Sequence, residues 1–516
     1  MPPVPSSNLT SQSVTTTSSP TNTYRAALWV VTTLFFMWGF LTCLNDILVP
    51  HLKSIFDLNY FQVMLIQFAF FSAYFIFSIP SAKVVDWIGY KKTMVAGLFT
   101  MGLGSFLFIP AASVPSYPLF LGALIVLAAG ITALQVAANP YVAVLGPPET
   151  ASSRLNLAQA FNSLGTTIAP YLGGLLILTA VPKSMDLVRQ MSVDAQQAYR
   201  IHEASSVKLP YLVIGLTLIA LGSLISLFKL PAIPGTERAK VDTGVGKSIW
   251  SYPHLVLGAV AIFVYVGAEV SIGSFLINYF SQSEIGNLSA VVAAGYVAFY
   301  WGGAMIGRFI GSALLHGVKT VTMALCAAIA GALLILSYLL SGSLLTGSGA
   351  SSASPRIASL LSALFGVLVE GRPLVALCFI ALVLLAIASV FNNGRVAMKT
   401  GHLLGLAGIC TATLVCVSML TSGHLAMWSI ILVGFFNSIM FPSIFTLGIA
   451  ELGPLTGDGS GMLVMAIVGG AIIPVAQGAI ADRIGIHHAF FLPVICYLYI
   501  VYYAFRGSRP VPVLAR

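Results

Sequence analysis

The chain has 516 residues, of which 58% are hydrophobic and only 8% charged, and its formal net charge is +9. So few polar residues could not cover the surface of a water-soluble globule, which excludes the soluble classes of protein. The positive charge does not indicate a nucleic-acid partner, because Lys and Arg are scattered through short loops, as they are on the cytoplasmic side of membrane proteins. We therefore predict an all-α polytopic membrane protein in a lipid bilayer.

The chain begins with a Ser-, Thr- and Pro-rich segment, residues 1–24, which we expect to be a disordered tail and not a cleaved signal peptide. Runs of about 20 apolar residues then recur, each long enough to cross the hydrocarbon layer as a helix. A polar cytoplasmic linker at 229–253 separates an N-terminal half, 25–228, from a C-terminal half, 254–516. The predicted spans are 26–49, 61–82, 92–112, 117–139, 157–180 and 209–228, then 255–280, 289–313, 321–341, 374–391, 403–421, 426–449, 461–480 and 488–506.

Two segments of the chain, LQVAANPYVAVLG and FNSIMFPSIFTLG, are near-copies of each other. When Pro140 is aligned with Pro442, Gln135 falls on Asn437. A second match, further along the chain, aligns Gly165 with Gly469. The pattern indicates a duplicated multi-helix unit, as in many secondary transporters, which bind their substrate near the bilayer midplane between the two repeats.

The spacing of the repeats indicates an insertion in the second half. The two halves start roughly 230 residues apart, whereas the matched prolines are about 300 apart, so roughly 75 residues are added at about 315–395. The added segment contains two of the apolar runs. We therefore predict two six-helix repeats plus an inserted helix pair, about 14 transmembrane helices in all.

Basic residues in the loops predict the orientation. With both termini in the cytoplasm, Lys83, Lys91, Arg154, Lys399 and Arg506 all face inward, as the positive-inside rule requires. The expected location is the inner (plasma) membrane, and the expected state is a monomer. Six cysteines lie inside apolar segments without paired spacing, so we predict neither disulfides nor a metal site. No nucleotide-binding glycine pattern is present, and no cofactor is expected.

Two carboxylates fall well inside predicted spans, Asp46 in the first and Glu269 in the seventh. An ionised carboxylate at the centre of a helix costs about 2.5–3.5 kcal/mol to insert, so each is a functional candidate on that cost alone. Two simpler interpretations remain open. Asp46 could meet water near the outer end of its helix, and Glu269 could make a structural hydrogen bond between helices.

Side-chain amides form the second set of candidates. Neutral amides both donate and accept hydrogen bonds, which suits the hydroxyls of a sugar, although they could also serve only to join helices. A charged substrate is disfavoured because no Arg or Lys lies in mid-span, and Arg308 is interpreted as a loop residue at a span end. The predicted substrate-binding residues are Asn45, Gln67, Gln135, Asn139, Gln159, Asn162, Asn278 and Asn437.

Three stretches, WGFLTCLNDILVPHL, LQVAANPYVAVLG and RLNLAQAFNSLG, resemble the fucose–galactose–glucose:proton symporters of the major facilitator superfamily. GAEVSIGSFLINYF in the second half looks most like the glucose/galactose branch. The resemblance implies the major facilitator fold and uptake of a neutral hexose with protons by alternating access. It also implies that Asp46 is the coupling carboxylate and that Asn139, Gln159 and Asn162 face the substrate.

One position departs from the family pattern. In the L-fucose branch a glutamate linked to proton coupling stands in the place of Gln135, and an amide cannot titrate. Either Asp46 carries the proton alone, or Glu269 takes a share, or coupling differs in this branch. Symport of L-fucose or another neutral solute, and export of drugs, remain alternatives. An enzyme is not expected, because hydrolase and metalloprotease motifs are missing from the sequence.

Overall fold

The computed structural model describes residues 20–56, 60–114, 116–176, 190–205, 207–231, 248–288, 290–316 and 398–510. Within these ranges every regular element is a helix. The predicted spans 321–341 and 374–391 lie outside the described residues. So do nearly all of the predicted insertion and most of the predicted tail and linker.

The N-terminal half contains six helices in this part of the chain. They are α1 (Pro20–Phe56), α2 (Tyr60–Ser113), α3 (Tyr117–Val144), α4 (Ala151–Leu176), α5 (Val193–Ser205) and α6 (Lys208–Leu227). Helix α1 begins at Pro20, inside the segment 1–24 that was predicted as a disordered tail. Helix α5 lies in the predicted loop between the fifth and sixth spans.

The described part of the C-terminal half is more broken. Its helices are α7 (Pro253–Phe280), α8 (Ala290–His316), α9 (Thr400–Leu420), α10 (Gly423–Asn437), α11 (Met440–Gly448), α12 (Thr456–Met465), α13 (Gly469–Ile484), α14 (Ile486–Ala489) and α15 (Phe491–Tyr502). A π-helical segment, Tyr503–Gly507, continues α15. The predicted span 426–449 consists of α10 and α11, and the span 461–480 runs from α12 into α13.

Two predicted spans, 61–82 and 92–112, both belong to α2 and are divided at Gly89. Its φ of 79° and ψ of 166° lie in a region that glycine adopts readily and other residues rarely do. Among the described residues, eight helical stretches are long and apolar enough to cross a membrane. This part of the chain confirms a helical membrane fold, and the count of about 14 helices stays a prediction.

Helices α4 and α13 pack closely against the first helices of their own halves, α1 and α7, and this repeated contact shows the duplication in three dimensions. Gly165 of α4 lies against the carbonyl oxygen of Phe36 in α1, with no room for a Cβ. Its repeat partner Gly469, at the start of α13, lies in the same way against the carbonyl oxygen of Phe263 in α7. Glycine is required at both positions because the helix backbones touch.

The two halves meet at the end of the bundle that carries the linker, which we call the linker end. The first turn of α4 contacts the last turns of α8, and Ser153 and Ser312 exchange hydrogen bonds there. Nearby, Ser460 of α12 donates to the carbonyl of Val136 in α3 at 2.9 Å. The described hydrogen bonds between the halves lie at this end or between it and the middle of the helices.

Candidate functional site

The predicted amides of α3 lie in the interior of the N-terminal half. Nε2 of Gln135 donates to the hydroxyl of Tyr74 in α2 at 3.0 Å. Asn139, one turn later on the same face, is fully buried, and neither of its side-chain polar atoms has a hydrogen-bond partner among the described residues. A buried amide without partners is costly, so both polar atoms of Asn139 retain the capacity to form hydrogen bonds.

Helix α4 supplies the other predicted amides of this half. Nδ2 of Asn162 donates to the carbonyl of Phe35 in α1 at 2.9 Å. This approach is possible because Gly39 of α1 leaves space beside it, which a Cβ would fill. Gln159 is buried one turn away. Both amides therefore lie on α4 in the interior of the N-terminal half.

In the C-terminal half, Glu269 of α7 stands at the centre of a group of tyrosines. The hydroxyl of Tyr265 donates to its carboxylate at 2.7 Å. Asn437 of α10 is fully buried, and its Nδ2 donates to the hydroxyls of Tyr300 at 3.1 Å and Tyr497 at 2.9 Å. Oδ1 of Asn437 has no hydrogen-bond partner in the described part of the chain, so this amide also retains the capacity to accept a hydrogen bond.

The two halves contain the same amide–tyrosine pair. Gln135 donates to Tyr74 in one half, and its repeat partner Asn437 donates to Tyr300 in the other. The two tyrosines occupy equivalent helices, α2 and α8. One such pair therefore lies in each repeat, which is the arrangement expected of a site between the halves.

Arg308 was interpreted from the sequence as a loop residue at a span end, and this interpretation is wrong. Helix α8 continues to His316, so Arg308 lies inside it and is partly buried. Its Nε donates to the carbonyl of Ser438 at 3.2 Å, and its Nη1 donates to the carbonyl of Gln159 at 3.4 Å and to Oγ of Ser163. The helix bundle therefore contains a positively charged side chain in its interior, which the hydropathy pattern did not indicate.

Several predicted residues are not seen in this group. Asn45 and Asp46 lie in α1 and Gln67 in α2, but their side chains are outside what the structure describes. Asn278 is exposed in the last turns of α7. It is about 14 Å along the helix from Glu269, since nine residues separate them at 1.5 Å each. The structure does not bring Asn278 into the buried group.

Sequence reasoning missed other polar residues of the interior. Gln477 of α13 is fully buried, and the structure describes no hydrogen-bond partner for either of its amide atoms or for the buried hydroxyl of Ser271 in α7. Gln477 could have been found by the criterion that identified the other amides, since it also lies within an apolar run. Tyr265, Tyr300 and Tyr497 carried no comparable signal, because tyrosine is common in helix packing.

The group as a whole suits a neutral, hydroxylated ligand. Amides and tyrosine hydroxyls can both donate and accept hydrogen bonds, as the hydroxyl groups of such a ligand do. Within the described ranges, no three His, Cys, Asp or Glu side chains are grouped as a metal site would need. The described group therefore offers hydrogen bonds and one proton-accepting carboxylate.

Comparison with known proteins gives consistent matches. A sequence model of the Major Facilitator Superfamily matches residues 28–371. A glucose/galactose transporter of Brucella abortus is 46% identical over 96% of this chain and 97% of its own. The L-fucose-proton symporter of Escherichia coli is 33% identical over 92% of each chain. A crystal structure of the transporter FucP in the outward conformation superposes with a TM-score of 0.73 at 30% identity, covering 95% of this chain and 100% of that chain.

Proposed function

The chain belongs to the Major Facilitator Superfamily, within it to the fucose–galactose–glucose symporters, and we propose that it takes up glucose or galactose together with protons by alternating access. It is a multi-pass membrane transporter and not an enzyme. The relatives named for glucose and galactose are more similar in sequence than those named for L-fucose, which favours the former sugars.

The observation that carries the proposal is the pair of amide–tyrosine hydrogen bonds, one in each half, beside amide atoms that have no partner. Asn139 and Oδ1 of Asn437 are buried and can bind hydroxyl groups. A sugar bound by amides of both halves makes more contacts when the halves close around it. A ligand drives a conformational change only through such a difference in affinity between two states.

We assign proton coupling to Asp46 and Glu269. Asp46 stands at the position to which the family resemblance assigns this role. Glu269 supplies a carboxylate in the interior of the other half, held by Tyr265 at 2.7 Å. Protonation of an intramembrane carboxylate removes the cost of carrying its charge through a closed state. The amide at Gln135 cannot titrate, and this favours a share for Glu269.

We take the linker end as cytoplasmic, on the basis of its basic loop residues, so that the protein lies in the inner membrane with both termini inside. The halves touch at that end through Ser153 and Ser312. In this orientation the described conformation is closed to the cytoplasm. We take the transporting unit to be a monomer.

Uptake by purified protein in proteoliposomes tests the function. Radiolabelled glucose or galactose should accumulate inside against its gradient when the outside is acidic, and a protonophore should abolish the accumulation. Competition with unlabelled L-fucose distinguishes this function from symport of L-fucose, because a fucose symporter would be inhibited most strongly by that sugar. Accumulation that is unchanged by the protonophore, or transport of none of these hexoses, would contradict the proposal.

A further inference from the structure

Gln477 of α13 and Ser271 of α7 are two buried polar residues to which the proposed function gives no role. Both side chains are fully buried, and the structure describes no hydrogen-bond partner for Nε2 or Oε1 of Gln477 or for Oγ of Ser271. Other buried hydroxyls, such as those of Ser105 and Thr132, donate to a carbonyl one turn earlier in their own helix. No such bond is described for Ser271, so its hydroxyl retains the capacity to bind another group.

Contacts between α7 and α13 place these two side chains on the same interface. Three contacts join the helices, in the same order along both: Phe263 with Gly469, Gly267 with Ile473, and Phe275 with Gly478. Ser271 lies one turn after Gly267 on α7, and Gln477 lies one turn after Ile473 on α13, each on the same helix face as the residue before it. Both polar side chains therefore lie between the second contact and the third, where the two helices pack.

This interface is close in depth to Glu269 and borders the N-terminal half. Ser271 follows Glu269 by two residues, or about 3 Å along the axis of α7. A Cβ at Gly470 of α13 would lie 2.9 Å from the ring of Phe71, a residue of α2 in the N-terminal half. Gln477 lies two turns further along α13 on the same face. It is therefore on a helix face that borders both α7 and the other half, where transporters built from two repeats bind their substrates.

The two repeats do not share this amide. When Gly165 is aligned with Gly469, Gly173 takes the position of Gln477. Gln135 and Asn437, in contrast, occupy equivalent positions in the two halves. An amide that occurs in one half alone suits the recognition of one side of an asymmetric ligand such as a hexose.

We propose that Gln477 and Ser271 form a further subsite for the sugar, in which both side chains bind the same hydroxyl group of the hexose. One hydroxyl can accept a hydrogen bond from Nε2 of Gln477 and donate one to Oγ of Ser271, so a single group supplies partners to both side chains. A sugar without that hydroxyl leaves the buried amide unpartnered, and such a site discriminates strongly against it. The inference rests on the proposed function and adds two specificity-determining residues to it.

Binding of hexoses to the full-length protein in detergent tests the subsite. The ligands are the hexose that the parent protein binds most tightly and the analogues of it that each lack one hydroxyl group. Gln477→Leu and Ser271→Ala should each weaken binding of the complete hexose, by roughly 5- to 10-fold for Gln477→Leu. For one analogue, the same for both variants, the parent and the variants should bind equally, because the hydroxyl that the subsite recognises is already missing.

Stability in the absence of sugar distinguishes a binding subsite from a structural contact. Leucine is close to glutamine in size, so Gln477→Leu replaces an unpartnered amide with an apolar group of similar shape. The midpoint of thermal unfolding should stay the same or rise. A water molecule held permanently between the two side chains predicts the opposite, because the variant would lose its hydrogen bonds and unfold at a lower temperature.

Thr411→Val in α9 is the matched control. Thr411 is also fully buried, and the structure describes no hydrogen-bond partner for its hydroxyl. Helix α9 packs against α10 and α15 and not against the interface of α7 and α13. The control should therefore leave the affinity for the hexose and for each analogue unchanged.

Three results would overturn the inference: a loss of affinity in Gln477→Leu that is equal for every analogue, different critical hydroxyls for the two variants, or a lower unfolding midpoint of Gln477→Leu without sugar. In each case the parent protein still binds hexose, and the proposed function stands. A parent protein that binds no hexose would contradict the proposed function, and the subsite would fail with it.

Discussion

Ser153 of α4 and Ser312 of α8 donate to each other's backbone carbonyls across the boundary between the halves. Oγ of Ser153 donates to the carbonyl of Ser312 at 2.8 Å, and Oγ of Ser312 donates to that of Ser153 at 2.9 Å. Both side chains are buried. This reciprocal pair closes the linker end of the bundle, so it contributes to the stability of this state relative to the opposite one.

Ser312→Ala should therefore shift the protein toward the state that is open at the linker end. One buried hydrogen bond contributes about 1 kcal/mol, which corresponds to roughly a fivefold change in the ratio of states. Distances between spin labels at Glu149 and His316 measure the shift. Ser223→Ala is the control, since Ser223 is exposed on α6 and bonds only to its own helix at Ile219. A ratio equal to that of the control would show that the serine pair does not stabilise the closed end.

Glu269→Gln should greatly reduce proton-driven accumulation of sugar but affect sugar exchange less, because exchange moves no net proton. The ratio of internal to external sugar under a pH gradient, compared with counterflow in the same proteoliposomes, measures the difference. Glu284→Gln, an exposed carboxylate in the loop after α7, is the matched control. Wild-type accumulation by Glu269→Gln would remove this residue from the coupling mechanism.

Asp46→Asn should abolish accumulation and leave counterflow exchange measurable, because an amide mimics a permanently protonated carboxyl group. The same proteoliposome assay applies, at several external pH values. If accumulation persists with its normal dependence on the pH gradient, Asp46 does not carry the coupled proton.

Asn437→Ala should weaken sugar binding, since it removes the unpartnered Oδ1 and the donor to Tyr300 and Tyr497. We expect a loss of about 1–2 kcal/mol, or roughly 5- to 30-fold in the dissociation constant. Gln135→Ala should have a similar effect in the other half. Asn278→Ala is a useful contrast, because its exposed position on α7 predicts a change below about twofold. Binding is measured calorimetrically in detergent, and equal losses for Asn278 and Asn437 would contradict the assigned site.

Gly165→Ala and Gly469→Ala should each destabilise the fold, because the added Cβ meets a backbone carbonyl that cannot move freely. The expected loss is about 1–3 kcal/mol. Gly122→Ala in α3 meets nothing within 4 Å and should be neutral or stabilising by up to about 1 kcal/mol, as alanine favours helix. The midpoint of thermal unfolding in detergent is measured for each of the three variants and compared with that of the parent protein. Equal midpoints would show that the repeat-related contacts tolerate a side chain.

Much of the molecule follows from local properties of the sequence. Hydrophobic runs determine where helices cross the bilayer, because a span needs about 20 predominantly apolar residues to cross the hydrocarbon layer. The Pro140 and Pro442 match revealed the duplication, which the packing of Gly165 and Gly469 then showed in space. Buried amides such as Asn139 could be selected as candidates because burying a polar group in a membrane is costly.

Only the tertiary structure decided which of these groups act together. Gln135 meets Tyr74 across 61 residues of chain, Asn437 meets Tyr300 across 137, and Arg308 meets Gln159 across 149. Hydropathy describes each helix by itself and does not report which face meets which neighbour. Arg308 could therefore be taken for a loop residue until the packing of α4 against α8 placed its acceptors beside it. The residue types of the site were determined by the sequence, and their partners were decided by how the helices pack, both within each half and between the halves.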